Sequence, residues 1–230
     1  MLDRFKKEIK DRGITRLCHL TRSNKALHIL GSEAGLIAVD FLDRDIYDAN
    51  DELRMDGRTD CINCSIQYPN YWYFRTVKNK ISLFTEWVVL LINPEIILLD
   101  STEFCFTNAA YRRGVYIEKG YDAFVGMFAS KVNGKWLISR EIDMLPCCPT
   151  DDQAEVLVYK NISRKDIIGV AVPDEEQAKK EKIRWYEILK NIPQIDIIIA
   201  PDFFDGAWSN KVRKGIVPQE YKWVEANNDG

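Results

Sequence analysis

The stretch Pro149-Thr150-Asp151-Asp152-Gln153-Ala154-Glu155-Val156-Leu157-Val158-Tyr159 joins a polar, acidic turn to an apolar, β-branched strand. Side chains two apart in a strand share a face, so Gln153 and Glu155 are expected side by side at a half-exposed strand mouth. A carboxylate held there by the strand behind it can carry catalysis. It can equally be an ordinary strand-end charge, and the rest of the chain must decide.

Three other polar groups lie next to predicted strands. Cys18-His19-Leu20-Thr21-Arg22-Ser23-Asn24 sits where a strand turns into a helix, and its histidine reads as either a structural hydrogen-bonder or a site residue. Asn50-Asp51-Glu52-Leu53-Arg54-Met55-Asp56 belongs to an acidic stretch, 40–60, that buries little and reads as a long surface loop. The run Tyr68-Pro69-Asn70-Tyr71-Trp72-Tyr73-Phe74 holds too many aromatics for all of them to point inward. The phosphate-cradling patterns GxxxxGK(S/T) and GxGxxG are absent, as is GxSxG. A standard kinase, dinucleotide dehydrogenase or serine hydrolase is therefore not expected. Cys61-Ile62-Asn63-Cys64 has a metal-compatible spacing, but in a strand its two cysteines would point to opposite faces. No metal site is expected.

The elements that must position these residues are short. Helical spacing of Leu2, Phe5 and Ile9 predicts a helix over 2–12 stopped by Gly13, and 14–20 reads as a strand. Ser23 is a candidate N-cap for the helix that follows. Further strands are expected at 61–67, 87–92, 156–159, 167–172 and 195–200, and a short helix within 121–130. A charged helix is expected over 174–190, with Ile183, Tyr186 and Ile188-Leu189 on its buried side. The last twelve or so residues read as frayed. Strands and helices do not alternate strictly, so the class is α+β and one domain spanning 1–230 is the better count.

Composition adds limits. A hydrophobic content of 46%, a charged content of 29% and a formal charge of −3 suit a globular chain without global attraction to polyanions. The N-terminus has no apolar h-region and no apolar run is long enough to span a bilayer. A cytoplasmic protein with no membrane contact is the expectation, and its six cysteines do not resemble a secreted disulfide scaffold.

Taken together, His19-x-Thr21 before a helix, Arg54 before a strand, aromatics behind that strand and Gln153-x-Glu155 opening a later strand resemble an ADP-ribosyltransferase. The chain is most similar to the DarT family, toxins that attach ADP-ribose from NAD to nucleobases in DNA. The resemblance runs from about residue 14 to 172. Gln153-Ala154-Glu155-Val156-Leu157-Val158 and the His19-Leu20-Thr21 start are its most specific parts.

The resemblance implies a single-domain ADP-ribosyltransferase-like fold, with a central split, mostly antiparallel sheet and flanking helices. It implies a core over about 14–172, followed by a helix and strand over 174–200. It also implies NAD as substrate and a single-stranded nucleic acid as acceptor, with RNA or protein acceptors, or an inactive binding module, as alternatives. Glu155 would be the catalytic carboxylate. Arg54, with Arg58 as rival, would pair with the pyrophosphate. His19, Thr21 and Asn24 would hold the nicotinamide ribose and carboxamide. One of Tyr68, Tyr71 or Tyr73 would stack on the nicotinamide. Gln153 would orient the acceptor, and Arg112 and Arg113, with Lys131 and Lys135, would meet its phosphates. A separate antitoxin, such as a macrodomain hydrolase, is the implied partner.

Overall fold

The computed structural model describes residues 2–42, 56–79 and 85–225. Helix α1 (Leu2–Arg12) is followed by β1 (Leu17–Arg22), α2 (Ser23–Gly31), β2 (Leu36–Ile37), β3 (Cys61–Ile66), α3 (Tyr71–Val77), β4 (Trp87–Ile92), β5 (Glu103–Cys105) and β6 (Ile117–Lys119). Then come α4 (Tyr121–Gly126), β7 (Lys131–Asn133), β8 (Leu137–Ser139), β9 (Glu155–Tyr159), β10 (Asn161–Ile162) and β11 (Ile167–Val172). The chain continues with α5 (Glu175–Ile188), β12 (Asp196–Ile199), α6 (Pro201–Asp205), α7 (Ala207–Arg213) and β13 (Tyr221–Lys222).

Nine of these strands form one sheet in the order β13-β12-β11-β4-β1-β3-β9-β5-β6. Only β11 and β12 pair in parallel within it. The unbroken apolar run of β4 puts Val88, Leu90 and Ile92 into the core on one face of the sheet, with Leu30, Val156 and Trp185. Trp87, Val89 and Leu91 enter a second core on the other face, with Tyr68, Phe203 and Trp208. A strand buried on both faces needs no polar alternation, which is why this one reads as continuous.

The sheet is split at its centre. Strand β1 pairs with β4 along six residues, from Leu17↔Ile92 to Arg22↔Trp87. Its ladder with β3 comprises only Leu17↔Ile66 and Cys18↔Ser65, while β3 pairs with β9 from Cys61↔Tyr159 to Cys64↔Val156. Beyond Cys18 the β1–β3 backbone ladder ends, and His19 meets the middle of β3 through its side chain instead.

Several expectations change. Ser23 does not cap α2, whose preceding residue Arg22 makes no capping bond; the Ser23 hydroxyl instead donates to Glu181 at 2.6 Å. Helix α5 turns Ala178, Glu181 and Trp185 inward and leaves Ile183, Tyr186 and Ile188 exposed. Its buried stripe contains a charged residue, which apolar periodicity cannot mark. The chain end is not simply frayed: β13 adds to the sheet edge at Ile199↔Tyr221, and Glu220 accepts two bonds from the buried Arg16 guanidinium, at 3.1 and 2.7 Å.

Candidate active site

Glu155 is the first residue of β9 and pairs across the ladder with Cys105 of β5. It is buried, at 9% exposure, rather than half-exposed as the strand-mouth reading expects. On the other side of β9, Asn63 pairs with Leu157, which makes Asn63 and Glu155 diagonal neighbours on one face, within side-chain reach. The Asn63 amide Nδ2 donates to Glu155 Oε2 at 2.8 Å and to Asp56 Oδ2 at 3.0 Å. Its backbone carbonyl lies 2.9 Å from His19 Nδ1, so the imidazole occupies the position where the β1–β3 ladder has ended. One asparagine thus joins three strands' worth of site: His19 from β1, Glu155 from β9, and Asp56 from the segment before β3. Sequence reasoning missed both Asn63 and Asp56. Asn63 was hidden inside a cysteine spacing and Asp56 inside an acidic loop.

Thr21 lies two residues beyond His19 and is buried. Asn24 follows in the first turn of α2, and its Oδ1 is buried without a hydrogen-bond partner among the described residues. An unsatisfied buried acceptor costs about 1–3 kcal/mol. A ligand bringing an N–H or O–H to it, such as a carboxamide or a ribose hydroxyl, removes that cost. The residues present therefore fit the nicotinamide riboside end of NAD. Arg54 lies outside the described residues. Its rival Arg58 bonds Asp60 at 2.9 Å and pairs with Glu103, so two carboxylates already engage this guanidinium. That pairing weighs against Arg58 as a pyrophosphate ligand.

The loop ahead of Glu155 is tied down on two sides. Asp151 is buried; its Oδ2 accepts from the Thr107 hydroxyl at 2.7 Å and its Oδ1 from the backbone N–H of Gln153 at 2.9 Å. Burial pushes the Asp151 carboxyl above the usual range, against the pull of those two bonds. Gln153 is consequently a half-buried turn residue, two positions ahead of the strand, rather than a strand residue paired in phase with Glu155. Asp152 is held from α7 by the Ser209 hydroxyl and by Arg213 at 2.7 Å. Leu145 N–H donates to Val212 O at 2.9 Å, which joins α7 to the same loop. A small cavity beneath it is lined by Ser65, Tyr68, Asp151, Asp152, Ala154 and Trp208, among others.

The aromatic run divides. Tyr68 is buried in the second core, stacked on Trp208 (centroids 5.3 Å, 18°) with Phe203 edge-on. Tyr71 opens α3, behind the Asn70 cap, and its ring fills the space beside Gly206 that a Cβ there would need. Arg112 and Arg113 are exposed and both left-handed (φ 51° and 56°), which costs about 1–3 kcal/mol each. Gly114 follows at φ +81°, and a Cβ on it would meet the Asp56 carbonyl at 2.7 Å. That close approach seats the arginine turn directly against Asp56, and so next to the Asn63–Glu155 pair. Arg112 Nη1 also donates to the Tyr116 hydroxyl at 3.3 Å.

Cys61 and Cys64 face opposite sides of β3, in different clusters. Burial pushes the Cys61 and Cys105 thiols up to about 12, which keeps both protonated at neutral pH. Among the described residues no group of His, Cys, Asp and Glu is placed to hold a metal ion, and no helix is long and apolar enough to cross a membrane.

Comparison with known proteins shows a shared fold and the family. The fold matches Thermus sp. 2.9 DarT in complex with NAD+ (TM-score 0.54, 14% identity, covering 83% of this chain and 97% of that one). It also matches the same protein in complex with ADP-ribosylated ssDNA (0.53, 16%, 84% and 97%). Thermosipho africanus DarTG in complex with ADP-ribose gives a TM-score of 0.53 at 17% identity over 83% of this chain, which spans about half (51%) of the DarTG chain. No curated protein sequence matches significantly. Residues 18–205 match the family model described as "DarT: ssDNA thymidine ADP-ribosyltransferase". That stretch is most of the chain and includes the His19, Asn63 and Glu155 strands; the protein belongs to the DarT family.

Proposed function

We propose that this chain transfers ADP-ribose from NAD to thymidine in single-stranded DNA, with Glu155 as the catalytic carboxylate. The observation that carries this reading is the Asn63 amide, which fixes Glu155 at the open end of the split sheet while its carbonyl meets His19.

In this reading NAD binds beside the end of the β1–β3 ladder, against His19 and Glu155. His19, Thr21 and Asn24 hold the nicotinamide ribose and carboxamide, and Arg54 meets the pyrophosphate as a planar, bidentate donor. The bond from nicotinamide to C1′ breaks, and positive charge spreads over C1′ and the ring oxygen. Glu155 accepts a hydrogen bond from the 2′-hydroxyl and favours the charge there over the ground state, in which it sits on the nicotinamide ring. A ring nitrogen of the base attacks C1′ and passes its proton to Glu155 as the new bond forms. Nicotinamide leaves with the electron pair of the broken bond. Gln153 orients the base and the Arg112–Arg113 turn meets phosphate. A single strand is the cheaper acceptor because the base is already unstacked.

The family membership also supports a toxin or phage-defence role opposed by a macrodomain hydrolase; the proposed place of action is the cytoplasm, where NAD and DNA both occur. The test of the reaction is incubation with NAD and defined DNA and RNA oligonucleotides, followed by mass spectrometry. One ADP-ribose on thymidine of single-stranded DNA is expected. Addition to RNA alone would move the acceptor, and addition to neither would overturn the reading.

A further inference from the structure

The β7–β8 hairpin projects from the loop region ahead of Glu155 and carries Lys135-Trp136 at its turn. Trp136 is 68% exposed, and the Lys135 ammonium lies 5.8 Å from its ring centroid. An indole left in water in this way is unusual for a side chain that ordinarily buries much of its area. The hairpin itself is not loose. Val132 is buried, and β7 and β8 pair from Lys131↔Ser139 to Asn133↔Leu137. Gly134 sits so close to Thr107 that a Cβ would collide with its hydroxyl.

Thr107 links this hairpin to the site. It follows Cys105, the ladder partner of Glu155, by two residues. Its hydroxyl is the donor that holds Asp151, which in turn holds the Gln153 N–H. The hairpin turn therefore packs, through Gly134, on the residue that anchors the loop carrying Gln153. Lys131 and Lys135 are both exposed along it.

We infer that Trp136 is a stacking platform for a base flanking the acceptor nucleotide, with Lys135 and Lys131 meeting the neighbouring phosphates. Exposed aromatics interleaved with cations are how single strands are gripped without reading sequence. This inference rests on the single-stranded acceptor of the proposed function and names a subsite for it. It gives the enzyme a grip on the strand outside the reacting base, and so a preference for oligonucleotides over isolated nucleotides.

The test compares native protein, Trp136→Ala and Trp136→Tyr. The acceptors are a thymidine oligonucleotide and versions with an abasic residue at each flanking position. Native protein is expected to lose about tenfold in kcat/KM when the stacked neighbour is abasic. Trp136→Ala is expected to lose the same factor on the intact strand and nothing further on the abasic one. Trp136→Tyr keeps most of the activity, and all three cleave NAD equally in the absence of DNA. Equal transfer by native protein and Trp136→Ala on the intact strand would overturn the inference and leave the hairpin to a protein partner. Absence of transfer by native protein to any strand would instead remove the proposed function, and the subsite with it.

Discussion

Two buried glutamates in this protein have opposite surroundings. Glu181 on α5 is 1% exposed. It accepts from the Ser23 hydroxyl at 2.6 Å and from Arg184 at 2.9 Å, and Arg184 is itself paired with Glu86. This cluster pins the start of α2 to α5 with a hydroxyl and a cation of the chain's own. Glu155 is nearly as buried, yet it shares a neutral amide with a second carboxylate, Asp56. It stands where the β1–β3 ladder has opened. Burial alone does not mark a working acid; what supports the proposed role of Glu155 is its bond to Asn63, whose carbonyl meets His19 where the β1–β3 ladder has ended.

The contrast can be broken most severely at Glu155. Replacing it with Gln keeps the shape and the contact with β3 but removes the charge that favours the cationic transition state. ADP-ribose transfer is expected to fall by about 10²–10³-fold or more, with the thermal midpoint little changed. Glu181→Gln should leave transfer within about twofold. The next largest effect is expected at Asn63. Asn63→Ala removes the amide that orients the carboxylate, and misplacement of about an ångström costs on the order of 10²-fold; kcat should fall while NAD binding, read by calorimetry, persists.

Arg213→Ala probes the rim instead of the cleft. It strips the cation from Asp152, whose side chain is 6% exposed, and leaves only Ser209 on that carboxylate. A loss of about 3 kcal/mol is expected in denaturant unfolding, at the lower end for a broken buried pair.

The smallest effect is a pH slope. Burial raises the Glu181 carboxyl above its usual value, over the opposing Ser23 and Arg184 contacts. A raised folded-state value means that the native protein binds this proton more tightly than the unfolded chain does. The stability it contributes is complete below the ordinary glutamate range and is lost as pH rises through the raised value. The melting temperature of native protein minus that of Glu181→Gln should therefore be more positive at pH 4.5 than at pH 8. A flat difference would show that the Ser23 and Arg184 contacts cancel burial, and a reversed slope that they outweigh it.

These contrasts also explain what the sequence alone can and cannot disclose. Helix α1, β4 and β11 coincide with the spans predicted, because an amphipathic repeat or an unbroken apolar run is local information. Glu155 is legible for the same reason: a polar turn meeting a β-branched strand fixes its place. Asn63 is not, since its importance depends on which strand lies beside β3 and on where β1 leaves it. Glu181 is hidden by its charge, which reads as solvent-facing and led Ile183 and Tyr186 to be assigned its buried position. Tyr68 looks like its neighbour Tyr71 until Trp208, 140 residues later, is found stacked against it. Helix α7 passed unread although Gly206, left-handed at φ +83°, marks its start.

The most direct test sets the two glutamates side by side. Native protein, Glu155→Gln and Glu181→Gln are incubated with NAD and a single-stranded thymidine oligonucleotide, and the DNA is weighed by mass spectrometry over time. The account predicts ADP-ribosylated DNA at similar rates from native protein and Glu181→Gln, and essentially none from Glu155→Gln. Undiminished modification by a folded Glu155→Gln protein would contradict it.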